Sequence, residues 1–391
     1  AADRGAPAYR EGRFMYRRDP AYLAEYAAAM VEAGAGLVGG CCGTTPADIE
    51  AIARRVRSLR PGKRSVARVS VSVPSAPGAS PAPPAPPVPF LVPRGGRLPV
   101  TVELDPPRGL DLERVLAGAR ALAADGRTRA ITLGDNPLAL VRMGNAAVAA
   151  RIEEEAGLET ILHVSCRDRN LIGVQSHLLG AWAMGLRHLL PITGDPAKAG
   201  NQPGASSVYD TNSLGLLELV GRLNAGSFAG GQDLGGRTAF TLGVALNYSG
   251  RLEPHIARLR KKVDRGAQYA MTQAVYDGAT ARRILDLAAP LGIPVLLGLM
   301  PLVSGRNAEF LHHEVPGIVV PDDVRRRMKG LRGKEGRAEG LRILAETAAA
   351  VAGRARGFYI IPPFENHEHA LRALDAIESA GALRAPARAE A

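Results

Sequence analysis

Residues 160–170 read Thr160-Ile-Leu-His-Val-Ser-Cys-Arg-Asp-Arg-Asn170, residues 171–184 Leu171-Ile-Gly-Val-Gln-Ser-His-Leu-Leu-Gly-Ala-Trp-Ala-Met184, and residues 188–196 His188-Leu-Leu-Pro-Ile-Thr-Gly-Asp-Pro196. A short apolar run closes in a polar cluster. A longer helical stretch follows, and a second apolar run closes in another polar cluster. This is a strand–helix–strand unit of a parallel sheet, with ionisable residues gathered where each strand ends.

The same unit recurs outward in both directions. Candidate strands are 100–104, 130–133, 160–165, 188–192, 238–245, 269–273, 295–299 and 357–361, with helical stretches such as 111–124, 170–184, 251–264 and 337–352 between them. Eight short apolar strands alternating with helices predict an α/β fold, a (β/α)8 TIM barrel. A doubly wound sheet is the competing architecture. No glycine-rich dinucleotide fingerprint follows the first strand, which counts against it.

A barrel of this kind works at the C-terminal ends of its strands. Those ends carry Glu103 and Asp105, Thr132 and Asp135, His163 with Arg167 to Asn170, then Gly194 and Asp195, Asn247, and Gln273. Stability alone does not explain so many polar groups on one rim. Several have plain structural readings as well. Asp195 between glycine and proline suits a turn, and Glu103 suits an ion pair at the mouth. Gln273 suits an amide satisfied by backbone, His163 a core histidine, and Tyr209 ordinary packing. A lysine on a helix, such as Lys262, is usually solvated.

The flanks read differently. Residues 20–33 form a helix closed by Gly34, 36–40 a short apolar strand, and Thr45-Pro46-Ala47-Asp48 opens another helix with Thr45 as its N-cap. Between strand and helix stand Cys41 and Cys42 in Gly39-Gly-Cys-Cys-Gly-Thr-Thr-Pro46. Adjacent thiolates framed by glycines suit metal ligation. About 40 residues before the pair are too few to house such a site. Proline crowds residues 74–97, where it opposes helix and sheet and makes an extended spacer. The expected division is therefore 1–70, a linker over 71–97, and a barrel over 98–385.

The 391 residues carry a net charge of +11. The arginines are scattered and no aromatic stacking motif accompanies them, so the charge reads as a solvated basic surface, and no nucleic acid is expected. Three cysteines, two of them adjacent, form no disulfide framework and fit a reducing cytoplasm. No apolar run reaches the length of a membrane span, and the N-terminus lacks a signal-peptide pattern. Oligomeric state stays open, although the outer helices of barrels often associate.

Seven motifs in order carry a family resemblance: Glu103-Leu-Asp-Pro-Pro, Thr132-Leu-Gly, His163-Val-Ser-Cys, Thr193-Gly-Asp-Pro, Tyr209-Asp-Thr-Asn-Ser, Arg260-Lys-Lys-Val-Asp-Arg-Gly-Ala and Met271-Thr-Gln. Over residues 98–382 the chain resembles methylenetetrahydrofolate reductase, a flavin-dependent barrel enzyme. The Gly-Gly-Cys-Cys run resembles the closing part of a zinc-dependent homocysteine S-methyltransferase barrel, and bacterial proteins of this kind fuse the two enzymes in this order. The resemblance implies reduction of 5,10-methylenetetrahydrofolate to 5-methyltetrahydrofolate by NAD(P)H in one-carbon and methionine metabolism. It implies FAD, with FMN an alternative, and a folate substrate. Glu103 is implied as general acid, and Asp195 as facing flavin and pterin. Thr132, His163, Gly194, Asp195, Tyr209, Ala245 and Lys262 are implied as flavin contacts. Gln273 is implied at the pterin and Arg306 at the folate's glutamate tail or the donor's phosphates. Arg167, Asp168 and Arg169 could reach the nucleotide half.

The chemistry agrees with that transfer. Turning a methylene bridge into a methyl group needs hydride delivery, which no side chain supplies, and a positioned acid with a raised pKa. Two places depart from the family pattern: Leu246-Asn247-Tyr248-Ser249-Gly250 after the fifth strand, and His255. The homocysteine S-methyltransferase resemblance supplies a third cysteine upstream, so Cys41 and Cys42 are an incomplete zinc site here. Zinc binding and methyl transfer to homocysteine are the alternative activity of an intact parent protein.

Overall fold

The computed structural model describes residues 8–10, 13–15, 20–40, 44–62, 88–315 and 317–385. The chain divides into two compact units, residues 1–82 and 83–391.

In the second unit eight parallel strands close a barrel: β1 (Val100–Glu103), β2 (Thr128–Leu133), β3 (Glu159–Ser165), β4 (His188–Ile192), β5 (Thr241–Leu246), β6 (Tyr269–Ala274), β7 (Val295–Leu299) and β8 (Phe358–Ile360). Closure is made by β8, whose Phe358 stands opposite Val100 of β1 and Leu297 of β7. Helices link the strands, among them α1 (Glu113–Asp125), α2 (Asn145–Ala156), α3 (Leu171–Ala183), α4 (Ser213–Ala225), α5 (Leu252–Val263) and α6 (Gly278–Ala288).

The period of two along each strand sorts its side chains. Outward residues such as Val100, Val102, Ile131, Leu133, Leu162 and Val164 join Leu116, Leu122, Val148 and Leu178 of the helices in the main core. Inward residues Ala130, Ile161, Leu190, Tyr269, Met271, Leu296 and Tyr359 form a separate cluster with Val88 and Phe90. Phe90 is fully buried and lies edge-on to His188 (5.0 Å) and Tyr269 (5.3 Å). It closes the floor of the cylinder. His188 is fixed there by Glu159 (2.7 Å) and Thr241 (2.6 Å). Gly243 on β5 is needed beside this floor, because a Cβ would stand 2.3 Å from the Tyr269 ring.

The expected fifth strand began at residue 238, whereas β5 begins at Thr241. The side chain of Asn224 is the reason. Its Oδ1 accepts from Thr238 Oγ1 and from the Phe240 N–H, so the backbone before residue 241 bonds to a helix side chain rather than to a strand.

In the first unit, helices Pro20–Glu32 and Pro46–Val56 pack through Leu23, Ala27 and Ile52, and Arg55 bonds Glu25 between them. Gly34 ends the first helix in a left-handed conformation (φ 100°). Asp48 Oδ2 accepts from both the N–H and the hydroxyl of Thr45 at the second helix's N-terminus. Short strands 8–10 and 13–15 pair antiparallel. The strand expected over 36–40 does not form. Residues 37–39 are irregular and Gly40 makes a single bridge, with no ladder among the described residues to hold a strand. Among the described residues, no helix is long and apolar enough to cross a membrane.

Candidate active site

The floor is filled, but the mouth is open. Ala245 on β5 and Gln273 on β6 occupy inward positions of a closed barrel and are nevertheless exposed. Side chains above the floor layer therefore leave the barrel open to solvent at the C-terminal strand ends. Glu103, Thr132, His163, Ala245 and Gln273 share its wall by register and alternation.

Glu103 ends β1 and stands among charges. The Tyr359 hydroxyl, on neighbouring β8, donates to Glu103 Oε2. Burial holds the Glu103 carboxyl well above the ordinary carboxylate range; Asp105 and Glu365 add to this, and Arg142 opposes it. Burial likewise lifts Asp105 to about 6, against the opposing pull of Arg142. Arg142, from the loop after β2, bonds the Pro106 carbonyl (2.7 Å), reaches Asp105 at 3.3 Å and pairs with Glu365 from the loop after β8. Its guanidinium is thus committed to neighbours other than Glu103. Two nearby carboxyls and desolvation favour a neutral acid at position 103.

A second buried arginine organises the next loops. Arg167 forks onto Asp168 (2.6 Å to each oxygen), and also donates to the carbonyls of Asn136 (3.0 Å) and Asp195 (3.1 Å). Arg169 pairs with Asp135 at 2.8 Å. Arg167, Asp168 and Arg169 thus tie together the loops after β2, β3 and β4. Asp195 Oδ2 accepts the Leu138 N–H (3.1 Å), which fixes its carboxylate. Gly194 sits at φ 84°, a conformation L side chains rarely adopt, and a Cβ there would press on Ser165 Cβ at 3.1 Å. Tyr209 donates its hydroxyl to the Gly194 carbonyl (3.0 Å), so it supports the Asp195 turn.

Backbone strain collects at this mouth. All six described non-glycine residues with positive φ leave strand ends: Asn136, Leu138 and Ala139 after β2, Tyr209 after β4, Phe364 and Glu365 after β8. Such conformations cost on the order of 1–3 kcal/mol each and gather at functional sites.

The remaining wall suits a flat, polar heteroaromatic group. Thr132 Oγ1, His163 Nε2 and Ser165 Oγ are buried with no hydrogen-bond partner. Buried polar atoms left unpaired are costly, and a ligand bearing ring nitrogens and carbonyls would satisfy them. His163 is pushed down to about 4 by burial and is neutral near pH 7. Lys262 is buried, lowered to about 8 by desolvation, and donates to the Ala245 carbonyl (2.6 Å). It is not solvated: α5 places it one turn from buried Leu259 on the same face. The residues present are compatible with a flavin: Thr132, His163 and Ala245 line the wall, Lys262 holds the Ala245 carbonyl from helix α5, and Gly194 and Tyr209 shape the turn beside it. Arg306 is exposed near the start of helix Gly305–Glu314, which follows β7. Cys41 and Cys42 lie outside the described residues. Among the described residues, no group of three or more His, Cys, Asp or Glu side chains could hold a metal ion.

Reading the sequence missed Arg142, Tyr359 and Glu365. Tyr359 had a signal, since alternation along 357–361 turns it inward. Arg142 and Glu365 had none: they reach the site through the paths of two loops.

A closed eight-stranded parallel barrel with ionisable residues gathered at the C-terminal strand ends is the architecture of a (β/α)8-barrel protein. Residues 92–352 match the sequence model of methylenetetrahydrofolate reductase, and residues 1–56 match that of homocysteine S-methyltransferase. The chain belongs to the methylenetetrahydrofolate reductase family. It is 26% identical over 203 residues to a probable methylenetetrahydrofolate reductase (NADPH) of Caenorhabditis elegans, a match covering 49% of this chain and 28% of that protein. It is 26% identical over 223 residues to the 5,10-methylenetetrahydrofolate reductase of Pectobacterium carotovorum subsp. carotovorum, covering 55% and 67%. The fold is shared with an uncharacterized protein from Clostridium thermocellum that binds two copies of 5-methyl-5,6,7,8-tetrahydrofolic acid, at TM-score 0.51 and 12% identity, covering 72% of this chain and 94% of that one.

Proposed function

We propose that the barrel reduces 5,10-methylenetetrahydrofolate to 5-methyltetrahydrofolate, with a flavin in its mouth and NAD(P)H as electron donor. The observation that carries this reading is Glu103. It is a carboxyl whose neutral form burial and Asp105 favour, on the same wall as polar atoms left without a hydrogen-bond partner.

A bound flavin, FAD by family resemblance, supplies the hydride-transfer chemistry that side chains lack. This chain's residues do the rest. Glu103 holds the proton that opens the folate's five-membered ring, and the low dielectric of the site keeps that proton in place near neutral pH. Asp195, anchored through Leu138 N–H, has lone pairs left for the pterin. Gln273 offers an amide donor and an amide acceptor to the pterin edge. Lys262 donates one of its three N–H bonds internally and keeps two for a phosphate. Arg306 stands exposed where a carboxylate tail or a donor phosphate could reach it.

The test is Glu103→Gln. The amide keeps the shape and cannot supply the proton. Folate reduction should fall by about 10²- to 10⁴-fold while flavin stays bound. Unchanged turnover would refute the acid role.

A further inference from the structure

We propose that Tyr359 is a positioning residue for the acid: its hydroxyl holds Glu103 Oε2, so that Oε1 is the oxygen that carries and delivers the proton. The inference rests on the reading of Glu103 as the acid and adds a second residue to it.

Tyr359 lies at the middle of β8 with its ring in the floor cluster, 7% exposed. β8 pairs with β1, and Tyr359 stands opposite Thr101, two residues before Glu103. The hydroxyl therefore reaches diagonally upward to the carboxyl. Among the described residues this is the one hydrogen bond the Glu103 side chain makes. The charged groups facing Glu103 are Asp105 at the exit of β1, Arg142 from the loop after β2 and Glu365 from the loop after β8. Arg142 turns Nη1 to Pro106 and Nη2 to Asp105 and Glu365, and none of its donors bonds Glu103. Orientation of the acid thus falls to the phenol.

The bond works in both protonation states. In the neutral acid, Oε2 accepts from Tyr359, which makes it the carbonyl oxygen and leaves the hydroxyl at Oε1. Once the proton has gone to the folate nitrogen, the same bond steadies the anion. A hydrogen bond to the ionised form favours that form. Losing it should raise the Glu103 pKa further and weaken the acid's orientation together.

Tyr359→Phe keeps the ring that packs on the floor and removes one oxygen. In the flavin-loaded enzyme, the rate of folate reduction should fall by about 10- to 100-fold, the range for a hydrogen bond to a charged group. KM for the folate should hold, and the alkaline limb of the pH profile should move upward. Reduction of the flavin by NAD(P)H, which needs no acid, should be unchanged. In a Glu103→Gln background the same substitution should have no further effect on rate. Wild-type rate with an unmoved alkaline limb in Tyr359→Phe would overturn the proposal. So would an equal loss of rate in the presence and absence of Glu103, which would leave the acid reading standing. Full activity of Glu103→Gln would sink the acid reading itself. Should Tyr359→Phe fail to fold, the infrared difference between wild type and Glu103→Gln, taken where the acid is protonated, decides the matter. A C=O band at a hydrogen-bonded frequency supports the proposal, and one at the free-acid frequency overturns it.

Discussion

Asp105 shows how one side chain's environment sets the behaviour of the site. Its folded-state pKa is about 6, above the ordinary value of about 3.9 for an unfolded chain. The protonated form is therefore favoured in the native state. That contribution is complete below about pH 4 and is lost as pH rises through 6. Asp105→Asn cannot titrate, so its stability relative to wild type should improve between pH 4 and pH 7, by about 2 kcal/mol. Urea melts at pH 4, 5, 6 and 7 measure this, and parallel curves would contradict it. Lys262 titrates in the opposite sense. Its ammonium is disfavoured by burial, so the native state gains as pH rises above about 8 toward 10.5 and loses that gain as pH falls back through 8. The sequence announced the polar character of the rim at Glu103, Asp195 and Gln273, because parallel strands are apolar until they end. It did not announce that Arg167 would be consumed by its neighbours or that Lys262 would be buried. Those outcomes depend on where loops fold back and which face of α5 meets β5.

At the scale of elements, the barrel depends on a plug and on a clip. The plug is the turn Pro89–Leu91, whose Phe90 fills the floor against His188 and Tyr269. Phe90→Ala should cost about 3–5 kcal/mol, as large-to-small changes in a packed core do. A thermal melt reads it, and a shift within error would show that the floor is not sealed by this ring. The clip is Arg167, joining the loops after β2, β3 and β4. A lysine cannot reproduce its fork. Arg167→Lys keeps the charge but loses the fork and its bonds to the Asn136 and Asp195 carbonyls, so it should cost about 1–3 kcal/mol while loosening the Asp195 turn. Limited proteolysis around residues 195–209 reports the loosening, and an unchanged cleavage pattern would argue against the clip. The strands and their order were legible because apolar runs alternate with helical stretches at a regular spacing. The plug was not: Phe90 sits in proline-rich sequence that reads as spacer, and only the closed cylinder gives it a partner.

At the scale of the molecule, two units are joined through proline-rich sequence. The floor, the core and the mouth described above are all built within residues 83–391. A fragment covering those residues should therefore fold and reduce the folate at the rate of the whole chain; an insoluble or inactive fragment would show that residues 1–82 are required. On the proposed reading the open mouth holds a flavin beside Glu103, whose neutral form burial favours. The most direct test is to purify the whole chain, add FAD or FMN, remove the excess, then denature the protein and quantify the released chromophore. One flavin per chain, FAD or FMN, is the expected result. A colourless protein that takes up neither would contradict it.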